Sequence, residues 1–379
     1  MKTMMKAVAV HLASKTVGLV EQAVPVLQSR TGVKVRILEV GVCGTDKEIC
    51  RFEYGFAPVG EEYLILGHES LGEVVEVGPE VTTVQPGDLV VMMVRRPCGH
   101  AECMPCFAER QDFCTTGTFT ERGINQLHGF MTGFVVEEEK YVCRVPRHLR
   151  DVAVLTEPLT IAEKALLQLE SVQERLPWAC PVTPGAPQSS QYCHNAVVLG
   201  AGPVGLLGAM ALRVRGFRTF MYSREDGNDP RAALCASMGV EYISSASVSV
   251  DEMAQKTGNI DVVYEATGYS PLSFDVMRHL GTNGVFIFTG IPGHRPPMPI
   301  DTDMLMRDMV LKNQVVLGTV NANRKAFENA IADLEAFETQ FPKALESVIS
   351  RRYKIDEHAD LLLGKAGGIK NVISLEGAV

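Results

Sequence analysis

Residues 196–205, Ala196-Val197-Val198-Leu199-Gly200-Ala201-Gly202-Pro203-Val204-Gly205, decide how the chain is read. The apolar run suits a strand buried on both faces, and the glycines after it have separate uses. Gly200 permits a sharp turn, Gly202 lets backbone approach a pyrophosphate, and Gly205 allows a helix over 206–215 to pack closely on the strand. Pro203 and Val204 lie inside the same turn and are counted with the glycines as cofactor-binding. Alone, such a turn is weak ground, because any α/β protein can contain one.

The residues beyond it supply the context. Strand patterns at 219–222, 261–264 and 285–288 alternate with helical ones at 232–238 and 271–280, which is βαβ repetition and predicts a doubly wound parallel sheet. The second strand ends in Tyr222-Ser223-Arg224-Glu225, where a carboxylate normally accepts the ribose hydroxyls of NAD. A hydroxyl and a guanidinium there suit a 2′-phosphate, so NADP is favoured, with NAD possible because of Glu225. Towards the N-terminus, residues 6–145 show short β-branched runs broken by glycine and proline, which read as mainly β. A helix is expected over 155–176, where Ile161, Ala165, Leu166 and Leu169 recur behind Pro158, followed by a surface connection over 177–194. Two further helices, 324–336 and 341–349, precede a closing strand near 369–374.

With 379 residues, two domains are the better expectation than one core. The net charge of −9 repels polyanions, so nucleic acid and anionic membrane are excluded as main partners. Residues 1–6 lack the apolar core of a secretory signal and no apolar run approaches the roughly 18 residues of a membrane span, so the cytoplasm is expected. In that reducing setting the ten cysteines point to metal ligation rather than disulfides. The scattered ones, Cys50, Cys143, Cys180, Cys193 and Cys235, are expected to be inert thiols.

Two zinc sites are expected. Cys98-x4-Cys103-x2-Cys106-x7-Cys114 offers four soft ligands to one tetrahedral ion with no open position, hence a structural site; His100 is an alternative to Cys98. A second set, Cys43, His68, Glu69 and Glu157, mixes sulfur, nitrogen and oxygen donors, as a catalytic zinc with a position open to substrate does.

At these residues the chain resembles the zinc-containing medium-chain alcohol dehydrogenase superfamily, through Gly41-Val42-Cys43-Gly44-Thr45-Asp46, Gly67-His68-Glu69, Val84-Gln85-Pro86-Gly87-Asp88 and the four-cysteine lobe. Within it the chain is similar to the glucose (aldose) dehydrogenases, through Val94-Arg95-Arg96-Pro97-Cys98-Gly99, Arg110-Gln111-Asp112-Phe113-Cys114, His128-Gly129-Phe130-Met131, Glu157-Pro158-Leu159 and Gly318-Thr319-Val320-Asn321. The resemblance implies a GroES-like, mainly-β catalytic domain from residues 1–158 and 322–379, with the structural-zinc lobe at about 95–118, and a Rossmann domain from residues 159–321 with the cleft at their junction. It implies that Thr45 lies beside the reacting alcohol, that Glu121 and Asn321 contact sugar or nicotinamide, and that the chain forms a homodimer or homotetramer. Two departures stand out: a C-x4-C spacing where C-x2-C is commonest, and Glu48 where many relatives carry a relay histidine.

The expected reaction is zinc-dependent oxidation of an aldose, D-glucose first, at C1 to the lactone, with hydride transfer to NADP or NAD. Thr45, Glu48 and Glu69 form the catalytic set; Thr45, Glu121, Glu157, His294 and Asn321 face the sugar; Ser223, Arg224, Thr267 and Asn321 join the glycine turn at the cofactor. The alternatives are a polyol, threonine or simple-alcohol dehydrogenase, and a non-catalytic zinc-stabilised nucleotide sensor.

Overall fold

The computed structural model describes residues 3–181, 191–293 and 295–378. The chain divides into two compact units: Met1–Thr160, Asn321–Leu334 and Val348–Val379 form the first, Ile161–Val320 and Glu335–Ser347 the second. Among the described residues no helix is long and apolar enough to cross a membrane.

The first unit opens with β1 (Met4–His11), β2 (Thr16–Ala23) and β3 (Gly32–Val42), then the short helix α1 (Gly44–Cys50). There follow β4 (Tyr63–Ile65), β5 (Glu69–Val77), β6 (Leu89–Met92), β7 (Arg95–Arg96), α2 (Met104–Phe107), β8 (Thr120–Arg122), β9 (Gln126–Leu127), β10 (Phe134–Glu138) and β11 (Val142–Val145). Helix α3 (Thr156–Gln173) comes next, inside the helix expected over 155–176.

In the second unit β12 (Asn195–Leu199), α4 (Pro203–Val214), β13 (Arg218–Ser223), α5 (Pro230–Ser237) and β14 (Glu241–Ser244) follow one another. Then come α6 (Val250–Thr257), β15 (Ile260–Glu265), α7 (Ser270–Met277), β16 (Leu280–Phe288), α8 (Thr302–Leu311) and β17 (Val315–Gly318). The tail comprises α9 (Arg324–Gln340), α10 (Pro342–Val348), β18 (Ile349–Lys354), α11 (His358–Leu362) and β19 (Lys370–Ser374).

The second unit is α/β, with one parallel sheet in the order β14-β13-β12-β15-β16-β17. The chain moves outward from β12 through β13 to β14, then crosses back to β15 on the other side of β12. That reversal opens a crevice beyond the carboxyl ends of β12 and β15, where ligands of such sheets bind. Parallel strands are buried on both faces, which explains the uninterrupted apolar run of β12. Val197, Leu199, Phe220, Tyr222, Val263 and Phe286 line the core on one side. The turn after β12 behaves as its glycines require: Gly200 has φ 96°, and a Cβ on Gly205 would lie 1.9 Å from the Gly200 carbonyl oxygen.

The first unit is mainly β. Its larger sheet runs β11-β6-β5-β3-β19-β18, with β10 also on β3, beside a second sheet β2-β1-β4 and a small one β7-β8-β9. Strand β19, from the far end of the sequence, pairs with β3, so both ends of the chain build this unit.

Phe286 is fully buried in the second unit's core. Phe286→Ala should destabilise it by about 3–5 kcal/mol, read as a lower urea midpoint at unchanged slope; an unmoved midpoint would remove Phe286 from the core.

Candidate active site

Three strands of the first unit end together. Gly41 of β3 lies opposite Glu69, the first residue of β5, and Val42 lies opposite Asn371 near the start of β19. Cys43 follows directly and caps α1: its Sγ accepts the Thr45 N–H at 3.2 Å, and its own N–H donates to Asp46 Oδ2 at 2.9 Å. Gly41 is needed here, because a Cβ would lie 2.0 Å from Glu69 Oε2. His68 places Nε2 3.1 Å from Cys43 Sγ and Nδ1 3.6 Å from Asp46 Oδ1. Donor atoms of Cys43, His68 and Glu69 all lie within 4.8 Å of one another.

The charge at this corner is lopsided. Cys43, Asp46, Glu69 and Glu157 converge, and the buried cation that answers them is Lys370, with Nζ 2.6 and 2.5 Å from the two Glu69 oxygens and 3.2 Å from the Val42 carbonyl. Burial pushes the Glu157 carboxyl up to about 7, with Glu69 adding to the rise while His68 and Lys370 oppose it. At His68 burial acts downward, yet Cys43 and Asp46 outweigh it and hold the imidazole well above its ordinary value. The corner therefore favours extra positive charge at the Cys43–His68 contact, and a divalent cation on sulfur, nitrogen and carboxylate donors fits it. Asp46 accepts the Cys43 N–H through one oxygen and places the other 3.6 Å from the far ring nitrogen of His68.

Thr45 is half-buried and Glu48 exposed on α1, three residues apart. Glu157 is partly buried in the first turn of α3. Glu121 is buried on β8 opposite Arg95 of β7, whose Nε donates to Glu121 Oε1 at 3.0 Å and whose Nη2 forms an ion pair with it at 2.9 Å. Asn321, in the left-handed region at φ 61°, donates Nδ2–H to the same oxygen at 2.9 Å. No donor among the described residues reaches Oε2.

Cys98, Cys103, Cys106 and Cys114 lie on and around α2 with their sulfurs within 4.8 Å of one another. Hydrogen bonds from Thr115 pull the Cys103 thiol down to about 5, while burial pushes Cys106 up to about 12. Like groups this close do not all ionise unaided, and a cation that replaces their protons fits. His100 turns instead to Glu102, at 3.5 Å.

In the second unit a cavity of about 820 Å³ lies at the crevice, lined by Gly200, Gly202, Ser223, Arg224, Arg231 and Thr267 among others. A Cβ on Gly202 would meet nothing within 4 Å, so backbone is open to a ligand there. Ser223 Oγ accepts the Ala201 N–H at 3.0 Å and donates to Glu225 at 2.5 Å; Arg231 Nη1 holds the same carboxylate at 2.8 Å. Although burial acts the other way, Ser223 and the two arginines hold the Glu225 carboxyl below its usual range. The carboxylate is thus engaged within the protein, while the Arg224 side chain is 92% exposed. Thr267 is tied down through its N–H and hydroxyl to Glu265 at 2.7 and 2.5 Å. His294, expected at the sugar, lies outside the described residues.

Sequence reasoning gave no role to Asp46, Arg95, Arg231 or Lys370. A lysine inside the apolar strand 369–374 was the readable signal for Lys370; the other three depend on pairings between distant residues. One expectation is corrected: Cys180 and Cys193 are not inert thiols but form a disulfide, because the connection between α3 and β12 brings their Cα atoms to 5.6 Å.

Comparison with known proteins agrees with this geometry. Residues 29–147 match the Alcohol dehydrogenase GroES-like domain and residues 150–375 the Glucose dehydrogenase C-terminus. A Glucose 1-dehydrogenase of Methanocella arvoryzae is 36% identical over 90% of this chain and 92% of its own, and Glucose 1-dehydrogenase 1 of Vulcanisaeta moutnovskia 37% over 89% and 90%. The structure of Haloferax mediterranei glucose dehydrogenase in complex with NADP, Zn and gluconolactone superposes with a TM-score of 0.85 at 30% identity, covering 98% of this chain and 99% of that one. With strands, donor cluster and sequence in accord, the chain belongs to the glucose dehydrogenases of the zinc-dependent alcohol dehydrogenase superfamily.

Proposed function

We propose that the protein oxidises an aldose, D-glucose first, at C1 to the lactone and passes the hydride to NADP, with NAD as the lesser acceptor. The observation that carries this reading is the gathering of Cys43, His68 and Glu69 within 4.8 Å, in a chain whose relatives are glucose 1-dehydrogenases. When bound, zinc supplies the Lewis acidity that lets a sugar hydroxyl ionise near neutral pH, and the dinucleotide supplies the hydride acceptor. Cys43, His68 and Glu69 would hold the catalytic ion, with Glu157, whose carboxyl feels the charges of His68 and Glu69, as a further donor outside that 4.8 Å cluster; Cys98, Cys103, Cys106 and Cys114 would hold a structural one.

The remaining steps belong to side chains. Thr45 takes the substrate proton on its hydroxyl and hands it towards Glu48, exposed one turn along α1. Lys370 holds Glu69 aimed at the donor cluster. Glu121 has one oxygen saturated by Arg95 and Asn321, so the other is free to accept sugar hydroxyls from a fixed position. A site of this kind rejects analogues lacking those hydroxyls, which favours an aldose over a simple alcohol. At the cofactor, Arg224 and Arg231 supply positive charge for a 2′-phosphate beside Ser223.

The division into a catalytic part, 1–158 with 322–379, and a cofactor part, 159–321, belongs to the same proposal. So does a homodimer or homotetramer. It is supported by the single-sided edge strand β17 and by α8, which has no buried residue and exposes Met306, Val310 and Leu311. Cytoplasmic residence is proposed from the reliance on reduced thiols at Cys43 and the four-cysteine lobe.

Three outcomes are expected. Reduction of NADP should proceed with glucose, galactose or xylose and fade after exhaustive chelation; turnover of sorbitol, threonine or ethanol with none of any aldose would reject the sugar assignment. Arg231→Gln should raise the KM for NADP about tenfold, the worth of a hydrogen bond to a charged group, and leave the KM for NAD nearly unchanged. Lys370→Met should cost about 3–5 kcal/mol by stranding a buried carboxylate, measured by chemical denaturation; wild-type stability would show that Glu69 does not need its partner.

A further inference from the structure

A third group of soft donors sits just before β12: Cys180, Cys193 and His194 offer ligand atoms within 4.8 Å of one another. None of them takes part in the reaction described above. A tetrahedral ion with sulfur at about 2.3 Å and nitrogen at about 2.0–2.1 Å separates its sulfurs by roughly 3.8 Å and each sulfur from nitrogen by roughly 3.6 Å. The imidazole is already close to that spacing, with Nδ1 3.8 Å from Cys180 Sγ and 3.9 Å from Cys193 Sγ. Only the sulfur–sulfur separation has to widen, and reduction does that.

The surroundings resemble those of a held ligand rather than a passing histidine. The Trp178 ring lies 4.6 Å from the imidazole and Phe217 6.3 Å, which restricts its rotation. The His194 carbonyl accepts from Arg218 N–H and its own N–H donates to the Gln191 carbonyl, both at 3.0 Å, so the donor is anchored to the start of the sheet. The backbone N–H of Cys193 donates to Cys180 Sγ at 2.9 Å, the contact that steadies a thiolate on a metal.

We propose that, once reduced, Cys180, Cys193 and His194 hold a soft divalent cation of the zinc class, so that the disulfide and a third metal site are alternative states of the same three side chains. The S–S bond breaks when a dithiol reductant delivers two electrons and two protons and becomes a disulfide itself. The two new thiols then release their protons to solvent as their sulfurs, with neutral Nδ1, take the cation. Solvent completes the shell.

The test uses the full chain. One portion stays oxidised; another is reduced with a phosphine and desalted without air; both are dialysed against the same zinc buffer and bound zinc is counted by mass spectrometry. The reduced protein should carry about one more zinc per chain than the oxidised protein. Cys180→Ser/Cys193→Ser should lose that extra ion, and His194→Ala should weaken it by about tenfold or more. With cobalt in place of zinc, thiolate-to-metal absorption should rise on reduction in the wild type alone. Equal zinc in both redox states would overturn the proposal, as would an extra ion that survives in the double serine variant or binds undiminished to His194→Ala.

Discussion

Both oxygens of Glu69 close on the ammonium of Lys370, out of water, at a corner of the first unit where several acids meet. Burying such a pair gains little stability by itself, since desolvation offsets the attraction; breaking it is what costs. Its use is positional. It sets the carboxylate beside Cys43 and His68 and leaves the corner still short of positive charge, which a divalent ion would make good. Glu69 reaches this place only because Gly41 carries no side chain, so the backbone of β3, the ion pair and the Cys43–His68–Glu69 cluster form one dependent set.

The cofactor side rests on a different economy of charge. Glu225 stands where an acid would select NAD, yet Ser223 and Arg231 engage it internally. The carboxylate is thereby answered inside the protein, while the Arg224 side chain stays exposed beside it.

The architecture was largely legible beforehand, because its signals are local. Apolar run, glycine turn and helix succeed one another within residues 195–214, and the parallel sheet emerges where the βαβ pattern placed it. The cysteine spacing at 98–114 was equally local. What could not be read were partnerships across sequence: Lys370 with Glu69, separated by 301 positions, and Arg95 with Glu121, set by strand register. The Cys180–Cys193 disulfide joins two positions 13 apart with no spacing motif to mark them as a pair. Nor could the place of Asp46 be read, which accepts from the Cys43 N–H and lies 3.6 Å from the His68 ring.

The pairing of β19 with β3 also has a temporal side. Cys43 and His68 emerge early from the ribosome, whereas Lys370 comes about 300 positions after them. At roughly 5–20 residues per second that interval is on the order of 15–60 s. During it the nascent N-terminal strands have an open edge and a cluster of uncompensated acids, while the doubly wound sheet has everything it requires and can condense first. A chain released before β19 would expose an unfinished strand edge for chaperones or proteases to recognise.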